Sequence, residues 1–266
     1  MVLLESMKDQ YRNKKLILDL SFKDFRSKYV GSYFGAIWAF VQPTIMILIY
    51  WFIFQVGFRS APVNDIPYIL YFVSSIIPWF FFSESWASST NSVTENSYLV
   101  QKIVFPVSIL PTVKVLSSFY VHLFFVFFVF CLLLAYGIYP DIHQLQLIYF
   151  LVANFFLSLG LSWITSSVVI FFKDTAQIVS VFLQIAFWLT PIFYSIDMLP
   201  EKLQPLFKLM PMYYIVEGYR NTFLYDHWFW EKDLYLTFTF WGTLLLILTL
   251  GSKIFKKLSH HFADIL

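Results

Sequence analysis

The sequence predicts an all-α integral membrane protein with six transmembrane helices. Three observations lead there. Residues 29–58 contain no Asp, Glu, Lys or Arg, and a helix of about 20 apolar residues crosses the roughly 30 Å hydrocarbon core of a bilayer. Five more long apolar stretches follow. The chain is 59% hydrophobic and only 13% charged, whereas soluble domains carry about 25% charged residues, which excludes an ordinary soluble fold.

Taken in order, the spans are expected at about 33–58, 67–88, 108–136, 145–172, 175–196 and 234–254. No internal repeat is visible. Residues 33–255 therefore read as one six-span membrane domain, between a cytoplasmic N-terminus (1–32) and a cytoplasmic tail (256–266). The start, Met1-Val2-Leu3-Leu4-Glu5-Ser6, lacks the basic, apolar and small-residue order of a secretory signal. The first span is expected to direct insertion. Lys and Arg set the orientation. Twelve fall on the side of the termini and five on the other, with Lys114 inside the third span, which places both termini in the cytoplasm.

Ahead of the first span, residues 14–29 read as an amphipathic helix. Leu18, Phe22, Phe25 and Tyr29 share one helical face, and Lys15, Asp19, Lys23, Arg26 and Lys28 occupy much of the rest. Asp19–Lys23 and Asp24–Lys28 are acid-before-base pairs four apart, which support a helix modestly. A basic amphipathic helix rests in the interface plane. It serves either as a passive anchor or as an element framing a lateral opening to the inner leaflet.

Two connections carry further signals. In the second-to-third connection, Ser92 with Glu95 has the pattern of a capping box, and Pro106 closes the segment. A short helix at about 92–104 is expected, as an ordinary turn or as a docking knob for a soluble partner. Beyond the fifth span, Pro200, Pro205 and Pro211 divide residues 199–229 into pieces too short to span twice. Re-entrant helices on the extracellular side fit this, since irregular backbone at membrane depth needs shielding. Glu217 and Arg220, three apart, are expected to pair.

The chemistry that is missing narrows the function. There is no G-x-x-x-x-G-K-[ST] phosphate loop, no H-E-x-x-H and no G-x-S-x-G elbow. No converging set of acids and bases is visible, so no catalytic residue and no metal ligands are assigned. The single Cys131 rules out a cysteine metal site or disulfide within one chain. His122 reads as a helix-packing residue, and His260 and His261 lie in the tail. Ionisable groups inside a span are the default functional candidates. Two qualify, Glu84 and Lys114, and they are expected to form a structural ion pair. Such scarcity argues against an ion-coupled transporter, which needs ion sites near the midplane. Energy must come from a docked partner.

Several motifs resemble a known family. Ser32-Tyr33-Phe34-Gly35-Ala36-Ile37-Trp38 with Gln42-Pro43, Pro78-Trp79-Phe80-Phe81-Phe82-Ser83, Leu99-Val100-Gln101-Lys102-Ile103-Val104-Phe105-Pro106, and Thr190-Pro191-Ile192-Phe193-Tyr194-Ser195 with Gly218-Tyr219-Arg220 resemble the polysaccharide-export branch of the ABC-2 type permeases. Within it, Gly57-Phe58-Arg59-Ser60 and Gly137-Ile138-Tyr139-Pro140-Asp141-Ile142-His143 look most like teichoic acid translocation permeases, with O-antigen and capsule exporters as relatives. Lys173-Asp174 departs from the family's Arg-Asp, and Met210-Pro211 from its Asn-Pro.

The resemblance implies a homodimer in a bacterial cytoplasmic membrane, with two copies of a separate ATPase subunit that carries ATP and Mg. This chain would bind no cofactor and no nucleic acid. Its cargo would be a polyprenyl-diphosphate-linked glycopolymer. Lys23, Arg26 and Lys28 are candidates for the diphosphate, or else ordinary positive-inside anchors. Tyr33, Phe34, Trp38, Phe187, Trp188 and Phe193 are candidates to line the conduit, or else packing and lipid-facing rings. Asn96, Leu99, Lys102, Lys173 and Asp174 would couple to the ATPase. Rival readings are a drug or lipid exporter of the same family and a membrane enzyme acting on lipid-linked sugars.

Overall fold

The computed structural model describes residues 2–28, 30–59, 66–100 and 105–266. No strand pairs occur among the described helices, which follow one another along the chain. They are α1 (Val2–Arg12), α2 (Lys14–Ser27), α3 (Trp38–Trp51), α4 (Tyr68–Thr90), α5 (Ser97–Val100), α6 (Leu110–Ala135), α7 (Gln146–Val168), α8 (Thr175–Leu189), α9 (Gln204–Lys208), α10 (Pro211–Leu224), α11 (Phe229–Lys232), α12 (Leu234–Ser259) and α13 (Phe262–Ile265).

Four helical stretches are long and apolar enough to cross a membrane: Gly35–Gly57, Val107–Ala135, Ile142–Val168 and Leu234–Ser259. The first comprises a one-turn 3-10 entry, α3, and a π-helical end at Phe52–Gly57. Of α3 only Ala39 and Ile47 are buried, so this stretch stands at the edge of the bundle. Two expected spans differ. Helix α4 has the length, 23 residues, but it is the centre of the fold. Most of its residues are buried, Ser74, Ser75, Ser85 and Ser89 among them. A helix enclosed by protein can carry hydroxyls that lipid would penalise, and Ser74 and Ser75 donate to the Tyr71 carbonyl. Helix α8 is only 15 residues, about 22 Å at 1.5 Å per residue. It stops at Thr190, whose backbone is extended (ψ 129°) because Pro191 follows.

The bundle is cross-braced by polar contacts at both ends. At the end carrying the termini, Trp86 Nε1 donates to Thr165 Oγ1 at 3.3 Å and Thr90 Oγ1 bonds Thr165 Oγ1 at 2.8 Å, joining α4 to α7. The Gln10 amide donates to the Ser108 carbonyl at 2.9 Å. Glu5 pairs with Lys256 of α12, which holds the Glu5 carboxyl below its ordinary range. Midway, Asn154 Nδ2 reaches the Pro78 carbonyl at 3.0 Å. At the opposite end, Tyr68 and Tyr71 donate to the Phe193 and Tyr194 carbonyls. Helix α10, 14 residues long, is too short to span and lies buried against α4 and α7 at that end.

Helices α7 and α12 approach most closely through two glycines. A Cβ on Gly251 would lie 2.6 Å from the Gly160 carbonyl oxygen. Small residues permit such contact where no hydrophobic force drives helices together in lipid. Backbone cannot swing aside as a side chain can. Gly251→Ala is therefore expected to lower stability by about 1–3 kcal/mol, read as an earlier thermal transition of the detergent-solubilised protein. Gly242→Ala on the same helix has open space around it and is expected to melt with the parent.

Candidate functional site

The most developed site lies at the end bearing the termini, between α2, α3, α4 and α6. It is a cavity of about 350 Å³ lined by Phe25, Lys28, Trp38, Gln42, Glu84 and Ser118, among others.

Its first wall is α2. The sequence placed Leu18, Phe22 and Phe25 on one apolar face, and Leu18 and Phe22 are 51% and 55% exposed. The face turned to the protein is different. Ile17 and Ser21 are buried, Ser21 Oγ bonds the Tyr120 hydroxyl at 2.8 Å, and Asp24 pairs with Lys114 of α6 at 2.8 Å. The helix thus lies against α6 through these polar bonds and through a small apolar cluster of Ile17 with Ile109 and Val113, while Leu18 and Phe22 stay outward.

The expected pairings are rearranged here. Glu84 does not meet Lys114. It pairs with Lys28 at 2.9 Å at the rim of the cavity, while Lys114 joins Asp24 and Glu95, both at 2.8 Å. The reason is the depth of α2. Helix α2 runs far enough along α6 to put an acid beside Lys114 and a base beside Glu84, and so comes between the two expected partners. For the same reason, Asp24 and Lys28 do not pair with each other along α2. Sequence reading gave Asp24 only the local pairing with Lys28, not Lys114. Its signal was present, an acid on the less apolar side of the helix, but choosing its partner needs the helix's position.

Behind α2 the chain turns through Gly31 and Gly35, at φ 87° and 52°, backbone that glycine adopts without steric penalty. This turn presents Tyr33 (97% exposed), Phe34 and Trp38. Phe34 and Trp38 meet edge to face at 5.8 Å, and Trp38 lines the cavity. Deeper in, Ser117 and Ser118 also line it. Their hydroxyls are buried and make no hydrogen bond among the described residues, so the cavity has a polar floor with unused capacity. Beside them His122 Nε2 is bonded to the Tyr219 hydroxyl of α10 at 2.8 Å.

The remaining candidates fall elsewhere. Lys23 and Arg26 are exposed on α2, with the Arg26 guanidinium 6.0 Å from the Phe22 ring. Phe187, Trp188 and Phe193 form a separate aromatic group at the far end of α8. Tyr50 of α3 meets Phe187 at 5.7 Å and Phe193 at 5.2 Å. Trp188 is exposed, but Phe193 is buried, stacked on Phe54 and Phe72. Within this one chain Phe193 packs the core and lines no surface, because the break at Thr190 folds it back onto α4.

The expected docking helix at about 92–104 is described only as far as Val100. Residues 91–96 are turns, with Asn96 Nδ2 donating to the Ser92 carbonyl at 2.8 Å. Helix begins at Ser97 and runs to Val100, the last described residue of this stretch. Glu95 is taken by Lys114, so it does not close a capping box. Leu99 is half-buried against the core. Lys102 lies outside the described residues, as does Tyr29. Lys173 and Asp174 are exposed in the turn between α7 and α8, at the same end as residues 91–100.

At the opposite end, Arg220 is 2% exposed. It bonds Glu217 at 2.6 Å and the Pro191 carbonyl at 2.8 Å, and lies 3.7 Å over the Tyr71 ring. Sequence reading paired it with Glu217. Its hold on the carbonyl where α8 breaks is a feature of the fold alone.

The model of the ABC-2 type transporter family matches residues 16–224, from α2 to the end of α10. The chain belongs to the ABC-2 type transporter family. Curated relatives agree. Two proteins of Klebsiella pneumoniae named O-antigen export system permease protein RfbA are similar to this permease. One is 30% identical, covering 94% of this chain and 95% of the relative; the other is 29% identical over the same shares. A protein of Myxococcus xanthus with that name is 24% identical, covering 98% and 99%. The permease is thus a multi-pass membrane subunit of the polysaccharide-export branch.

Proposed function

We propose that this permease forms, as a homodimer, the conduit of an ABC exporter for a polyprenyl-diphosphate-linked glycopolymer. A separate ATP-hydrolysing subunit, in two copies, drives it from the cytoplasmic side, where both termini lie. The observation that carries this reading is the cavity between α2, α3, α4 and α6. It sits behind a basic interfacial helix, offers Lys28 and Trp38 at its rim, and holds two unpartnered hydroxyls on its floor.

The chemistry fits a lipid-linked polymer. The polyprenol stays in the bilayer beside Leu18 and Phe22. The diphosphate is attracted by Lys23 and Arg26 and takes Lys28 from Glu84. Ring faces at Tyr33, Phe34 and Trp38 stack on sugars without demanding one sequence, and Phe187 and Trp188 offer a second set at the far end. Residues 91–100, with Leu99 and Asn96, and the turn at Lys173 and Asp174 face the ATPase. The polymer is of the O-antigen class or is a wall teichoic acid. The relatives' names favour the first, and the motifs at residues 57–60 and 137–143 favour the second.

The test is the lipid that co-purifies with the permease. Mass spectrometry is expected to find a polyprenyl diphosphate carrying sugars, and its repeat unit separates the two polymer classes. A cation near the membrane surface contributes about 1 kcal/mol with anionic groups. Lys23→Ala with Arg26→Ala is therefore expected to weaken retention roughly thirtyfold. Retention unchanged in that variant, or only bulk phospholipid bound, would refute the assignment.

A further inference from the structure

Far from the cavity beside α2, three side chains with ligand chemistry converge. Asp141 and His143 lie in the connection between α6 and α7, and Asp226 in the segment between α10 and α11. Their ligand atoms all lie within 4.8 Å of one another. No spacing in the sequence announces this, and sequence reading assigned no metal ligands, because the third ligand comes from a remote loop.

Local structure enforces the convergence. Asp141 is extended (φ −118°, ψ 168°) and starts the 3-10 turn Ile142–Leu145. His143 Nδ1 and the Asp141 carboxylate are brought into contact. The two loops are then clamped by Gln146, 4% exposed. Its Nε2 donates to the His227 carbonyl at 2.8 Å, and its Oε1 accepts from the Phe229 amide at 2.9 Å. His143 also meets the Trp228 ring at 5.0 Å. Asp226 is carried by the clamped segment, next to His227. The trio is therefore held by a buried amide and an aromatic contact rather than by chance rotamers.

Two carboxylates this close repel, by about 1 kcal/mol even in water. A proton on His143 would offset one charge. A divalent cation would offset both, and it would use all three donors. Imidazole nitrogen with two carboxylate oxygens suits zinc, which commonly takes three protein ligands and leaves a fourth position to water. Carboxylate and water alone would suit magnesium or calcium; the imidazole shifts preference toward transition metals.

We propose that Asp141, His143 and Asp226 form a site for a divalent transition metal of the zinc class, with water completing the coordination. Asp141 and Asp226 are exposed and His143 half-buried, so the ion enters directly from solvent. Bound there, it clasps the α6–α7 connection to the wall of the second cavity, about 280 Å³, which Gln146, Trp228 and Phe229 help to line. Nothing in this depends on the cargo.

The experiment uses the full chain, without a polyhistidine tag, stripped with chelator in detergent and titrated with zinc chloride by calorimetry. One saturable ion per chain is expected, with a rise in thermal midpoint. Asp226→Asn and His143→Gln are each expected to weaken binding at least tenfold, the loss that even a ligand's supporting partner causes, and to abolish the midpoint rise. His260→Ala with His261→Ala, at the other end of the molecule, is expected to bind as the parent does. Equal binding by the parent and by the Asp226→Asn and His143→Gln variants, or no saturable binding by a parent that melts cooperatively, would overturn the proposal. A loss confined to the His260/His261 variant would overturn it too.

Discussion

Replacing Arg220 with alanine is expected to destabilise the permease by about 3–5 kcal/mol, the loss typical of breaking a buried ion pair. The guanidinium does three things at once. It neutralises Glu217 at 2.6 Å, it satisfies the Pro191 carbonyl at 2.8 Å, and it covers the Tyr71 ring at 3.7 Å. The carbonyl matters because α8 ends just before it. Pro191 has no amide hydrogen to continue a helix, and the chain folds back into the core through Ile192 and Phe193, both buried. Without Arg220 that turn loses its donor in a place water does not reach easily. Arg220→Lys keeps the charge but not the planar fork, and is expected to fall between the two. Thermal unfolding in detergent reads the order. An alanine variant that melts with the parent would mean that the break after α8 is held by something else.

The second large effect is expected at Lys114. Its ammonium binds Asp24 of α2 and Glu95 of the loop after α4, both at 2.8 Å. Glu95 is half-exposed, with 53% of its side chain accessible, and contributes little, as exposed pairs do. Asp24 is different: its side chain is 14% accessible, and its second oxygen is buried without a hydrogen bond. Lys114→Met leaves that carboxylate with no cation, and a stability loss of about 3 kcal/mol is expected. The loss should be local. Amide hydrogen exchange is expected to accelerate in α2 and in residues 91–100, while α7 and α12 keep their protection. Adding Asp24→Asn removes the stranded charge and should restore part of the protection. Uniform protection in the single variant would show that the interfacial helix is held by its apolar contacts alone. Because Lys114 joins the candidate lipid gate to the candidate docking loop, the same variant is also expected to uncouple ATP hydrolysis from export.

Much of this architecture is legible before any coordinates. Charge-free stretches locate the first, third, fourth and sixth spans, since length and hydropathy alone decide whether a helix can cross lipid. The face pattern of residues 14–29 announces an amphipathic helix, and Pro211 marks the start of α10, but the fifth span is expected to run to about 196, past Pro191, where α8 has already ended. What could not be read depends on how separate helices register. Glu84 and Lys114 both read as charges inside spans, and sequence offers no way to know that α2 intervenes with Asp24 and Lys28. The polar cargo of α4 looks like a weak span and is in fact the mark of a central helix. The capping-box pattern at Ser92 and Glu95 fails because Lys114 outcompetes a local backbone amide for the carboxylate. The Asp141, His143 and Asp226 trio is invisible for the same reason: one donor arrives from a loop that only the Gln146 clamp brings near. Phe193 illustrates the converse, a ring chosen for a conduit that the chain's own turn puts into the core.

The central claim is that this permease supplies a path and no motor. The direct measurement is transport of a fluorescent lipid-linked glycopolymer in vesicles, with the permease alone and with its ATP-hydrolysing partner. Movement is expected only when both proteins and ATP are present, and loss of Leu99 and Asn96 at the docking loop should abolish it while ATP hydrolysis persists. Transport or chemical change of the polymer by the permease alone would contradict the account.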